Sequence, residues 1–135
     1  MLLSNKKKLV IKIGSSLLVE EGKLREKWLK NFTSDIAALV KKDFQIVIVS
    51  SGAIALGRQF LKSAKQKLSL PEKQAAASIG QIHLMSFYRD FFKKLNLDVA
   101  QILLTASDCN ARDRYLNSKN TIETLLEHGV IPIIN

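Results

Sequence analysis

Cysteine is nearly absent: Cys109 is the one thiol in 135 residues, which rules out an internal disulfide and any cysteine-built zinc cluster. Proline occurs twice and no low-complexity tract interrupts the chain, so one domain is the expectation. Long apolar runs are missing as well, and none approaches the roughly 20 residues needed to cross a bilayer. The opening Met1-Leu-Leu-Ser-Asn-Lys-Lys-Lys8 puts its charges after its apolar residues, the reverse of a secretory signal, and a cytoplasmic location with no membrane partner is expected. The 47% of hydrophobic residues is enough to bury a real core in a soluble globular domain.

Acidic residues are in deficit, 12 against 21 lysines and arginines, for a formal net charge of +9. Such a balance invites a nucleic-acid reading, because clustered cations release counterions from phosphates. The lysines are scattered, however, from Lys6, Lys7 and Lys8 through Lys27, Lys41 and Lys62 to Lys94, without an aromatic platform on which bases could stack. Most of this charge reads as solvated surface, and a smaller part as a contribution to an anionic ligand. Nucleic acid is not the expected partner of this region.

The most informative stretch is Gln45-Ile-Val-Ile-Val-Ser-Ser-Gly-Ala-Ile-Ala-Leu-Gly57. Ile46 to Val49 read as a strand buried on both faces, as in a parallel sheet covered by helices. Small residues then replace bulk where the strand must end, and Ser51 is positioned to cap the helix that follows and to leave its first N–H groups for an anion. Lys8 to Gly14 reads as an earlier strand with its own Gly-Ser-Ser turn. Leu24 to Lys42 repeats Trp28, Leu29, Phe32, Ile36, Leu39 and Val40 at helical spacing. A lysine-rich linker, 62–70, precedes a long helix that begins near Pro71 and runs to Phe92. Its small-residue half, Ala75 to Gly80, predicts close approach to another backbone, since a mid-helix glycine costs about 1 kcal/mol relative to alanine.

Val99 to Leu104 reads as a third strand, 105–114 as a polar loop in which Ser107 and Asp108 are available as caps, and Thr121 to Leu126 as a last helix, entered at Asn117, Asn120 and Thr121. Gly129 suits the left-handed position after that helix and His128 its negative end. Val130 to Asn135 is the fourth strand, and Pro132 predicts an edge or a bulge. The order β-α-β-α-α-β-α-β implies an α/β fold, an open and mostly parallel sheet with helices on both sides.

Ligands in such sheets bind beyond the carboxyl ends of the strands. Lys12 interrupts an apolar strand close to such an end, and an unpaired buried ammonium costs several kcal/mol. It therefore either meets an anion, with Gly14 and Ser15 offering open backbone and a hydroxyl, or points into water from an edge strand. The Ser51-Gly-Ala53 turn is equally an ordinary helix start or half of a site. No Walker loop and no G-x-G-x-x-G fingerprint is present. Asp108, Arg112, Asp113 and Arg114 form a charged loop that reaches over a ligand or simply pairs at the surface. His83, mid-helix among apolar neighbours, reads as structural, and no histidine triad or metal site is supported.

Taken together, Val10-Ile-Lys-Ile-Gly-Ser-Ser16, Val47-Ile-Val-Ser-Ser-Gly-Ala-Ile-Ala-Leu-Gly57, Lys73-Gln-Ala-Ala-Ala-Ser-Ile-Gly-Gln81, Gln101-Ile-Leu-Leu-Thr105, Arg112-Asp-Arg-Tyr-Leu-Asn117 and Asn120-Thr-Ile122 through Ile131-Pro-Ile-Ile-Asn135 resemble the amino-acid kinase family. The Ser-Gly-Ala turn, where other branches carry Gly-Gly, is similar to the branch that phosphorylates the side-chain carboxylate of L-glutamate with ATP and Mg2+, the first step of proline biosynthesis. The resemblance implies a three-layer αβα sandwich, here incomplete, in which 1–135 is the N-terminal, acceptor-binding part of the kinase domain and the nucleotide-binding half lies beyond. It implies that Lys12 is catalytic and, with Gly14 and Ser15, binds ATP phosphate, that Ser51, Gly52, Ala53 and Asn135 bind glutamate, that no residue here ligates a metal, and that the protein is a homo-oligomer. The chain alone is expected to be inactive, with an exposed sheet edge where a further strand would pair. The competing expectations are a non-catalytic RNA or polyanion binder, separable by steep salt dependence, and a relative with another acceptor.

Overall fold

Ile46, Val47 and Ile48 are all buried, and Val49 is half-buried, as a strand enclosed on both faces requires. They belong to a computed structural model that describes residues 6–62, 66–104 and 111–135. In chain order the elements are β1 (Lys8–Ile13), α1 (Ser15–Leu18), β2 (Val19–Glu20), β3 (Lys23–Leu24), α2 (Glu26–Lys41), β4 (Gln45–Ser50), α3 (Ala53–Gly57), a 3-10 turn (Arg58–Phe60), α4 (Leu70–Lys93), β5 (Asp98–Ile102), α5 (Arg112–Glu127) and β6 (Val130–Ile134). The main sheet has the order β1-β4-β6-β5 with every pairing parallel, so the α/β fold with an open parallel sheet is confirmed.

Alternation along the strands divides the core. Ile13, Ile46, Ile48, Ile131 and Ile133 share one cluster with Leu29 and Ile36 of α2 and Leu84, Tyr88 and Phe92 of α4. Val47 and Pro132, of opposite parity, are buried on the other face, where α5 packs on β6 and β5. There Lys8 Nζ lies 3.8 Å from Glu123 Oε1. Toward β1 this outer face is uncovered by the described residues, and Val10 is 69% exposed. Among the described residues no helix is long and apolar enough to cross a membrane.

The close approach predicted for Ala75 to Gly80 is the crossing of α4 over α3. A Cβ on Gly80 would lie 2.8 Å from the Gly57 nitrogen, and one on Gly57 would lie 2.8 Å from the Gly80 nitrogen. Only two glycines let these backbones touch. Helix α4 starts at a capping box: Glu72 N–H donates to Ser69 Oγ and Ser69 N–H to Glu72 Oε1, with Pro71 in the first turn.

Three expectations are corrected. The last helix begins at Arg112 rather than Thr121, so Asn117, Asn120 and Thr121 lie inside it, and Thr121 and Thr124 hydroxyls donate to the carbonyls of Asn117 and Asn120 at 2.9 and 2.8 Å. Polarity misled because this helix is largely exposed. Arg112, Asp113 and Arg114 form its first turn rather than a loop; Ser107, Asp108 and Cys109 lie outside the described residues. Pro132 sits in a central strand, between β4 and β5. The pairing with β4 is registered only at Ile133 and Ile134, past the proline, so its missing N–H interrupts no registered pair there. The structure also adds a two-stranded β2-β3 ribbon after α1, turning at Glu21 (φ 52°) and Gly22 (φ 74°), the positive-φ pair of a tight hairpin turn.

Candidate active site

Parallel register brings the strand ends level. Ile13 is opposite Ser50 and Lys12 opposite Val49, while Val49 is opposite Ile134. The residues that leave these strands, Gly14 and Ser15, Ser51 and Gly52, and Asn135, therefore emerge side by side at one edge of the sheet. Two backbone bonds tie the ends together: Ser51 N–H donates to Ile13 O at 3.0 Å, and Asn135 N–H to Ile102 O at 3.2 Å.

Lys12 is exposed on the edge strand β1. Lys8, on the same face of that strand, pairs with Glu123; Lys12 has no such partner among the described residues. Gly14 is extended (φ −76°, ψ 157°), and a Cβ there would meet nothing within 4 Å. Ser15 opens α1 and is exposed. Among the described residues this corner is open and carries the exposed Lys12 ammonium and the exposed Ser15 hydroxyl.

The second turn departs from the expected helix cap. Gly52, not Ser51, is the N-cap of α3, and no side chain caps it. The backbone explains this: Gly52 adopts φ 120° and ψ −9°, a region closed to most side chains, which turns the chain sharply enough to bury Gly52 and Ala53. Ser51 stays exposed, and its hydroxyl has no partner among the described residues. With five residues, α3 aligns few peptide dipoles, so any ligand here is held by individual groups rather than by a macrodipole.

Beneath the turn lies a buried polar chain. Ser50 Oγ donates to Ser51 O at 3.0 Å and stands 2.8 Å from Tyr88 Oη, so the phenol donates to Ser50. Burial pushes the Tyr88 pKa up to about 12, against a smaller downward pull from the Ser50 bond; the phenol is a fixed donor at neutral pH. Asn135 is exposed, yet its Nδ2 donates to Gln81 Oε1 of α4. Among the described residues Gln81 Nε2 is buried with no hydrogen-bond partner.

The structure thus brings Lys12, Gly14, Ser15, Ser51, Gly52, Ala53 and Asn135 to one end of the sheet. Ser50, Tyr88 and Gln81 were missed. A signal existed for the last two, since Gln81, Leu84 and Tyr88 fall on one helical stripe. His83 is elsewhere, stacked on Phe60 with ring centroids 4.9 Å apart in a cleft shared with Gly22, Leu24 and Phe87, in agreement with a structural role. Among the described residues no group of three or more His, Cys, Asp or Glu side chains is placed to hold a metal ion.

Residues 7–135 match the model of the amino acid kinase family, and the chain belongs to that family. Within it, the chain is 47% identical over 136 residues to the glutamate 5-kinase of Pelagibacter ubique, an alignment covering 100% of this chain and 37% of that protein. It is 50% identical to the glutamate 5-kinase of Bartonella henselae, covering 96% of this chain and 34% of the relative. The chain therefore spans about a third of the length of these curated relatives. A solved carbamate kinase from Giardia superposes with a TM-score of 0.64 at 14% identity, over 97% of this chain and 58% of that one, a likeness of fold.

Proposed function

We propose that this chain is the acceptor-binding part of an ATP-dependent kinase that phosphorylates the side-chain carboxylate of L-glutamate to glutamyl 5-phosphate, the entry to proline biosynthesis. The observation that carries the reading is the level alignment of the two small-residue turns, locked by Ser51 N–H on Ile13 O at 3.0 Å, in a chain 47% identical to a named glutamate 5-kinase. Such an arrangement fits an acceptor beside a phosphoryl donor.

In this reading Ser51, Gly52, Ala53 and Asn135 hold glutamate, through the free Ser51 hydroxyl, the turn's backbone and the Asn135 carboxamide. The acceptor carboxylate is ionised at neutral pH and needs no general base, so positioning and charge stabilisation supply the catalysis. Lys12 stabilises negative charge on the transferring group. The open space above Gly14 and the exposed Ser15 fit phosphate oxygens. When bound, ATP with Mg2+ would supply the activated phosphoryl group, its phosphates facing Lys12, Gly14 and Ser15. Adenine and ribose contacts belong to the nucleotide-binding half, and the homo-oligomer and cytoplasmic location belong to the same proposal.

The test is Lys12→Ala in a chain carried through to the length of its relatives. Glutamate-dependent ADP release falls by orders of magnitude while glutamate binding changes little; unchanged turnover refutes the role. The same assay run against other carboxylate acceptors separates glutamate from a different substrate.

A further inference from the structure

We infer that Gln81 is a further acceptor-binding residue, whose buried Nε2 donates to the α-carboxylate of the bound amino acid; this rests on the reading of the strand ends as a glutamate site. A carboxamide has one acceptor oxygen and two N–H donors. Gln81 Oε1 accepts from Asn135 Nδ2, which engages the Gln81 oxygen and one of the Asn135 N–H groups. Among the described residues Asn135 Oδ1 is left as a free acceptor, and Gln81 Nε2 is left as a donor, buried and without a partner. Native proteins rarely leave such a donor unsatisfied.

The pair offers an acceptor for an α-ammonium beside a donor for an α-carboxylate, the complement of an amino-acid head group. Its position agrees with the direction of transfer. Asn135 follows β6 and Lys12 lies on β1, with β4 between them, so the two ends are separated by two strand spacings, about 10 Å. A glutamate lying across β4 over Ser51 places its head group at Gln81 and Asn135. Its side-chain carboxylate then faces the Lys12 corner. Gln81 is also held at the correct height, because Leu84 and Tyr88 on the same stripe of α4 are fully buried.

The experiment is a titration of the 15N-labelled protein, carried through to the length of its relatives as in the Lys12→Ala test, with L-glutamate, followed by NMR against sodium chloride at matched ionic strength, with Gln81→Glu and Gln81→Leu as variants. The Gln81 side-chain N–H signals, identified by their loss in Gln81→Leu, shift together with the backbone signals of Ser51, Gly52 and Asn135. 4-Aminobutyrate, which lacks the α-carboxylate, leaves the Gln81 signals in place. Gln81→Glu, measured at pH 8, keeps an oxygen for Asn135 Nδ2 but loses the donor, and weakens glutamate binding about tenfold to a hundredfold. Movement of Ser51, Gly52 and Asn135 with Gln81 unmoved, or equal affinity in Gln81→Glu, overturns the inference and leaves the glutamate site standing. No response at any of these positions removes the glutamate reading and the inference with it. If Gln81→Glu does not fold, the wild-type titration alone decides.

Discussion

Replacing Gly80 by alanine sets helix propensity against packing, and the structure says which wins. The new Cβ would lie 2.6 Å from the Ala53 carbonyl carbon and 2.8 Å from the Gly57 nitrogen, with the Ala53 carbonyl oxygen closer still. Carbon contacts settle at about 3.5–4.0 Å, so α3 and α4 must part by at least about 1 Å, and by more to clear the Ala53 carbonyl oxygen. Alanine is favoured over glycine within a helix by about 1 kcal/mol. Overpacking a core costs about 1–3 kcal/mol, and here the obstructing atoms are backbone, which cannot rotate aside, so the upper end applies. The expected balance is a net loss of about 2 kcal/mol, or a fall of about 1 M in the urea midpoint. Urea unfolding followed by circular dichroism measures it. Ala75→Gly, on an exposed face of the same helix, is the control and loses about 1 kcal/mol from propensity alone. A Gly80→Ala chain as stable as its parent, or more so, refutes the claim that backbone contact sets this crossing. Because α3 begins directly after Gly52, the variant also displaces the Ser51 turn.

Three further outcomes are expected. Tyr88 has a pKa raised to about 12 from an unfolded value near 10, so its contribution is complete below pH 10 and is lost as pH rises toward 12. The loss amounts to about 2–3 kcal/mol. Thermal unfolding between pH 9 and 12 shows this decline in the parent, and Tyr88→Phe, about 1 kcal/mol less stable at neutral pH, lacks this component; equal alkaline slopes refute the assignment. Gly52→Ala meets ordinary contacts, the nearest at 3.7 Å on Leu18 and Val19, but is strained by φ 120° and costs about 1–3 kcal/mol; a neutral result in chemical denaturation means the turn has another shape. Lys12→Ala changes stability by no more than about 0.5 kcal/mol, since the side chain is exposed and unpaired among the described residues; a larger change would give it a structural role.

The sheet was legible in the sequence because its signals are local. Four apolar residues in a row at Ile46 to Val49 can only be a strand covered twice or a buried helix segment, and the abrupt change to Ser50-Ser-Gly-Ala53 ends it after a strand's length. Pro71 marks the start of the long helix. The exposed helix Arg112–Glu127 was read short because a polar surface helix has little periodicity to detect. Pro132 misled because a proline's tolerance depends on which neighbour its missing N–H would have faced.

By itself the sequence determined the strand-turn-helix units, the lysine near the end of the first strand, the small residues at both turns and the need for a tight crossing at Gly80. Each of these is a property of a dozen or fewer consecutive residues. Tertiary structure alone decided that β6 lies beside β4, that Asn135 meets Gln81 from a helix 54 positions away, that Tyr88 reaches Ser50, and that Ser51 keeps its hydroxyl because Gly52 takes the cap. Those facts depend on strand order, register and one backbone angle, and no local pattern carries them.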